Sequence, residues 1–349
     1  MLARREIRAY ERRHGEAIDF RNAWWHPPVT PDQVLTSESA QIEAIGLTPI
    51  VSITDHDNID ASASLNDTTI EVPISFEWTV PFGAGFFHLG VHNLPRATAG
   101  QVFHTLEALT RQPSADALRD TLALVSAHRQ TLIVLNHPLW DLAGVGLDDH
   151  VALVQAFITA VTPFIHAIEL NGYRSWHENA MAADLAAHSC LPIISGGDRH
   201  GCAPNCLLNL TRAATFSEFV SEVRDDGRSV VLMLPAYKEP LVARKLATAA
   251  DAVRAYPAHP AGQLYWTDRV SYEREGIVRP LSAEWPDGGP IWARSAIRLF
   301  GAATRSPWLA ATRACVWLAG ASMSSGGAKA SSDRRQTSSA AARYQQSIG

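Results

Sequence analysis

Apolar residues follow two rhythms along this chain. Short β-branched runs alternate with longer stretches of helical spacing. Thr30 to Gln33 reads as a capping box with Pro31 at the first helical position. It predicts a helix to about Ile45, stopped by Gly46. The run Thr48 to Ile53 predicts a buried strand ending in Thr54-Asp55-His56-Asp57. The same grammar predicts a strand over Ile70 to Phe76 that ends at Glu77, and another over Phe86 to Val91 that contains His88. Further strands are expected before Asn136-His137-Pro138, before Asn171-Gly172, before Gly196-Gly197-Asp198-Arg199-His200, and over Ser229 to Leu234. Helical patterns separate them near Gly100 to Thr110, Ser114 to Arg129, Asp148 to Ala160, Glu178 to Ala187 and Phe216 to Arg224.

Strands alternating with helices argue for an α/β fold with a parallel sheet and helical crossovers. About seven strands over roughly 220 residues fit one closed barrel better than two small sheets. The polar residues cluster just after the strands, where β/α barrels carry their active sites. Residues 1–235 are therefore read as the barrel. Residues 236–292, a helical and Pro/Trp-rich stretch, are read as an extension packed on it. Residues 293–349 are read as a basic, Ser/Ala-rich, disordered tail.

Composition narrows the class. The chain is 46% apolar and 19% charged, which excludes global disorder. Its net charge of -5 argues against nucleic-acid binding by bulk charge. The charge is uneven: Ile291 to Gly349 holds eight basic residues and one acid, leaving -12 for residues 1–290. The most apolar stretch, Val151 to Leu170, is broken by Gln155, His166 and Glu169, so no membrane span is expected. The start, Met1 to Arg13, is charged and has no apolar signal core, and four cysteines make no disulfide framework. A cytoplasmic protein with no membrane partner is the expectation; its oligomeric state is left open.

The strand ends collect Asp55, His56, Asp57, Glu77, His88, His137, Asp198 and His200. Imidazoles and carboxylates without a cysteine pair suit Zn, Mn or Fe. Packing does not explain so many buried polar groups, because buried charge is costly unless paired or metal-bound. Two ions bridged by a carboxylate can activate a water and clamp a phosphoryl group.

Thr54-Asp55-His56-Asp57, Glu77, Asn136-His137-Pro138 and Gly196 to Gly201, in this order and strand context, resemble the polymerase and histidinol phosphatase (PHP) family. The resemblance spans Asp19 to about Gly201. It implies a distorted seven-stranded β/α barrel with two or three divalent ions that hydrolyses a phosphoester of a small phosphorylated or otherwise anionic molecule. By position, His56, Asp198 and His200 would bind metal and Glu77 would bridge two ions. His88 would be the next ligand, with His92 as runner-up, and His137 would complete that shell. His26 would join His56 and His200. Asp198, Arg199 and His200 are the catalytic candidates; Arg21, Arg199 and Asn171 are the substrate-binding candidates.

One motif departs from the family. Its opening Asp-apolar-His-x-His reads Asp19-Phe20-Arg21-Asn22-Ala23 here, so both histidines are replaced. Arg21 could supply charge where an ion is lost, but no Lewis acid. The alternative reading is thus a catalytically impaired barrel that binds an anionic ligand. A hydrolase of another ester or amide bond is a further alternative. Arg174 reads as a solvated loop residue, Trp24 and Trp25 as either pocket wall or core, and Cys202 and Cys206 as structural.

Overall fold

The computed structural model describes residues 8–13, 15, 23–65, 71–274 and 276–304. The fold is mixed α/β. A short strand β1 (Trp24–Trp25) comes first. The central sheet then takes β2 (Ile74–Phe82), β3 (Gly85–Leu94), β4 (Leu132–Asn136), β5 (Ala167–Asn171) and β6 (Ile193–Gly196), paired in that order. β4, β5 and β6 run parallel, because the helices Leu147–Val161 and Trp176–His188 cross back between them. β2 and β3 form an antiparallel hairpin closed by Gly83 and Ala84, and β3 is antiparallel to β4. Gly83 has φ of 58°, which a two-residue hairpin turn requires and a side chain resists.

The parallel sheet expected from sequence is corrected here. The five described strands form a mixed, open sheet. The run Thr48 to Ile53 makes no strand ladder, although Val51 and Ile53 are buried. It leads instead into a bridge between His56 and Glu77. Beyond β6, β7 (Leu207–Leu210) and β8 (Val230–Met233) form a separate antiparallel pair. β7 has no counterpart in the sequence reading.

Alternation on the strands separates core from site. Phe76, Trp78 and Val80 of β2, with Phe87, Leu89 and Val91 of β3, enter the main apolar core. Glu77 and His88 therefore fall on the opposite face. The predicted helix start holds: the Thr30 amide donates to Gln33 Oε1 at 3.0 Å, and the helix runs Pro31–Glu43.

β9 (Val270–Arg274) and β10 (Ile277–Pro280) pair with each other, and β1 adds to β9. Trp24 and Trp25 are thus strand partners of the 236–292 stretch. The helix Ile291–Thr304 extends past residue 293, into the segment read as tail; the rest of that segment lies outside the described residues. Among the described residues no helix is long and apolar enough to cross a membrane.

Two histidines make the fold acid-sensitive. His166 Nδ1 accepts the Ile133 amide at 2.9 Å, which a protonated nitrogen cannot do. Burial, and then the Arg224 charge, push its pKa down to about 3. Burial pushes His92, bonded to the Ser52 hydroxyl at 2.8 Å, down to about 4. Both values lie below the ordinary one, so the unfolded chain takes up protons first as pH falls. Their contribution is complete above about pH 6.5 and is lost progressively toward pH 4 and then 3. Denaturant unfolding at pH 7 and pH 4.5 should give a lower midpoint at the acid value, with a shallower pH slope in His166→Asn. Equal slopes in the two proteins would contradict this account.

Candidate metal centre

Glu77 is the hub. Its side chain is 10% exposed. His137 Nε2 stands 3.1 Å from Glu77 Oε1, His88 Nδ1 stands 3.3 Å from the same oxygen, and the two nitrogens are 3.4 Å apart. Asn136 Nδ2 donates to Oε1 at 2.9 Å. His56 Nε2 faces Oε2 at 3.4 Å. The elements explain the convergence. Glu77 and His88 share a face of the β2–β3 hairpin, while Asn136 and His137 leave the end of β4, with His88 paired to Asn136 in register. Burial alone would raise the Glu77 carboxyl. Hydrogen bonds with His137 and His88 and the His56 charge outweigh it and hold the pKa well below the usual range. Burial favours neutral His137, but Glu77, Glu169 and Asp198 push its pKa up.

A second group meets at His56, Asp198 and His200, whose candidate ligand atoms lie within 4.8 Å of one another. His200 Nδ1 is 3.4 Å from Asp198 Oδ1. Asp198 Oδ2 takes Arg174 Nη2 at 2.8 Å, and both side chains are at least 95% buried. His56 belongs to both groups and links them. Asp57, His137 and Asp198 have φ of 46°, 27° and 44°. Left-handed backbone at non-glycine residues is costly, and here it recurs in three loops of one site.

Sequence reasoning missed Glu169. It sits on β5, 5% exposed, and its Oε2 accepts the His137 amide at 2.8 Å and Asn171 Nδ2 at 3.0 Å. Burial, with the charges of Glu77 and Asp198, pushes its carboxyl up against the opposing effects of His137 and Asn171. Its neighbour is Gly196, where a Cβ would collide with Glu169 Oε1. Glycine at that position makes room for the carboxylate.

Several candidates fall elsewhere. Arg199 turns to the helix Pro31–Glu43, donating to Glu38 Oε1 at 2.8 Å, Ser37 Oγ at 3.1 Å and the carbonyls of Gly201 and Cys202. Four of its five N–H donors are thereby committed within the chain, so it is a tie between helix and loop rather than a phosphate clamp. Asn171 spends its amide on Glu169 and its carbonyl on the Tyr173 amide, so it builds the loop. His26 stands outside both ligand groups, its Nε2 accepting from Trp24 Nε1 at 3.2 Å. His92 pairs with Leu132, at the end of β4 far from His137, which leaves His88 as the hairpin's contribution. Arg174, read as solvated, is 4% exposed. Arg21, with Asp19 to Asn22 of the opening motif, lies outside the described residues. Cys202 and Cys206 are free thiols; Cys206 donates to the Gly172 carbonyl.

The donor set fits a divalent ion. Ligands about 2.1 Å from an ion stand roughly 3.0 Å apart at octahedral corners and roughly 3.4 Å apart at tetrahedral ones. The trio of Glu77, His88 and His137 spans 3.1–3.4 Å. Among the described residues, His137 Nδ1 is buried without a hydrogen-bond partner.

No family model matches the chain, and no curated protein does. Among solved structures, the chain is similar to PsfC from Pseudomonas syringae at 17% identity and TM-score 0.41, covering 58% of this chain and 84% of that one. It is similar to a protein provisionally named a metal-dependent phosphoesterase, from Bifidobacterium adolescentis, at 14% identity and TM-score 0.33, covering 56% and 90%. A third is an amidohydrolase from Chromobacterium violaceum holding sulfate and no metal, at 16% identity and TM-score 0.34, covering 64% and 93%. The likeness is partial in each case.

Proposed function

We propose that this chain is a metal-dependent hydrolase of the PHP type that cleaves a phosphoester of a small molecule. The observation that carries the reading is the convergence of His88 Nδ1, His137 Nε2 and Glu77 Oε1 within 3.4 Å of one another. A divalent ion held by that trio, Zn, Mn or Fe, would supply Lewis acidity and an activated water. His56, Asp198 and His200 form the second ligand group. Glu77 presents one oxygen to the trio and the other to His56. The exposed members are His56 and His200, with side chains 46% and 40% exposed, so an anionic substrate arrives on their side. Asn136, Glu169 and Asn171 hold the ligands in place from behind. The four sequence motifs in register favour a phosphoester over other scissile bonds.

The same reading makes the open sheet part of a distorted barrel wall. On one side Asp57 N bonds to the Glu77 carbonyl at 2.8 Å and Glu77 N to the Asp55 carbonyl at 2.9 Å. On the other, Ser195 N of β6 donates to Asn209 Oδ1 of β7 at 2.8 Å.

The test is elemental analysis of protein purified without chelator, with hydrolysis of an aryl phosphate in added Mn or Zn. The double variant Arg21→His/Ala23→His runs beside it. About two ions per chain and turnover that chelation abolishes are expected of the wild type. A metal-free, inert wild type beside a double variant that gains both would instead mark an anion-binding barrel without catalysis.

A further inference from the structure

We infer that Arg174 is a built-in cation of this centre, one that limits how many metal ions it takes and fixes Asp198 as a one-oxygen ligand. The inference rests on the metal-centre reading above. Asp198 has two carboxylate oxygens at the meeting point of the ligand groups. Oδ1 faces His200 Nδ1 at 3.4 Å, on the side of the second ligand group. Oδ2 is covered by Arg174 Nη2 at 2.8 Å, inside the protein. An ion that needs Oδ2 must displace the guanidinium or forgo that ligand.

Arg174 is held there from all sides. Its guanidinium carbon lies 3.5 Å from the ring centroid of Trp140, and Nη1 donates to the Tyr173 carbonyl at 3.2 Å. Its own carbonyl accepts from the Tyr237 hydroxyl at 3.3 Å, and that hydroxyl also takes Asn179 Nδ2 at 2.6 Å. Among the described residues, the buried Nε–H has no hydrogen-bond partner. The carboxylate side chains of Glu77, Asp198 and Glu169 are buried close to His137. A buried carboxylate needs a cation, a proton or a metal. Arg174 gives Asp198 a permanent cation that no chelator removes.

Removing that charge should open a metal position. In Arg174→Met, Asp198 Oδ2 loses its partner in a buried setting, and a divalent ion is the replacement the neighbouring histidines favour. Arg174→Gln is a second neutral variant, with a side-chain amide that can still reach Asp198 and support the fold. Arg174→Lys keeps the charge. The measurement is Mn bound per chain by equilibrium dialysis and elemental analysis, on samples shown to be folded by circular dichroism. Met and Gln variants are expected to bind about one ion more than wild type, and the Lys variant to match wild type. A neutral variant that is folded and binds the same number of ions as a metal-loaded wild type overturns this inference and leaves the metal centre standing. A wild type that binds no Mn overturns both.

Discussion

Glu77→Gln is expected to empty the trio of its metal and to lower any metal-dependent hydrolysis by more than about 100-fold, beyond the loss typical of changes to a ligand's supporting groups. The substitution keeps the size and removes the charge. Three rings face this one carboxylate: His137 and His88 at Oε1 and His56 at Oε2. An amide offers one acceptor where the carboxylate offers two, and its NH₂ would oppose a ring nitrogen. His137 would also lose one of the charges that push its pKa up. Calorimetric titration with Mn reads binding directly, without any substrate. Wild-type affinity in Glu77→Gln would rule out Glu77 as the shared ligand and with it the two-group centre.

Glu38→Ala is expected to cost about 3–5 kcal/mol of folding stability, the usual penalty for leaving one partner of a buried ion pair uncompensated. Glu38 and Arg199 each have side chains 12% exposed and meet at 2.8 Å. Glu38 also accepts the Asn205 amide through both oxygens, at 3.0 and 3.1 Å. Burial pushes the Glu38 carboxyl above the usual carboxylate range, and Arg199 and the Asn205 amide pull it only part of the way back. The loop from Gly197 to Asn205 carries both Asp198 and His200. The same variant should therefore weaken metal binding at the second group, though it touches no ligand. Denaturant unfolding and Mn titration read the two effects. A stability loss under about 1 kcal/mol would mean that the pair barely offsets its own desolvation.

The six residues that converge, His56, Glu77, His88, His137, Asp198 and His200, were legible because a ligand-type side chain in or just after an apolar run is a local pattern. For His137, Asp198 and His200 that pattern marks the ends of β4 and β6; Glu77 and His88 instead lie inside β2 and β3, and His56 follows a run that makes no strand ladder. Glu169 was not legible, because the space that Gly196 leaves for it arises only when β5 and β6 pair. The pair Phe82 and Gly85 around Gly83-Ala84 marks a hairpin, and taking it as one would have predicted the mixed sheet.

Arg199 and Arg174 show where such reading ends. In sequence Arg199 stands between two ligands and Arg174 in a polar loop. In the structure Arg199 reaches a glutamate 161 residues away and Arg174 holds Asp198. Caps, strand patterns and the order of ligand residues were determined by the sequence itself, because capping bonds and hydrophobic periodicity act over a few residues. Which cation meets which carboxylate was decided only in the tertiary structure. Long, flexible guanidinium side chains pair with whatever charge the strand order and helix packing bury beside them, and sequence spacing carries no record of that proximity.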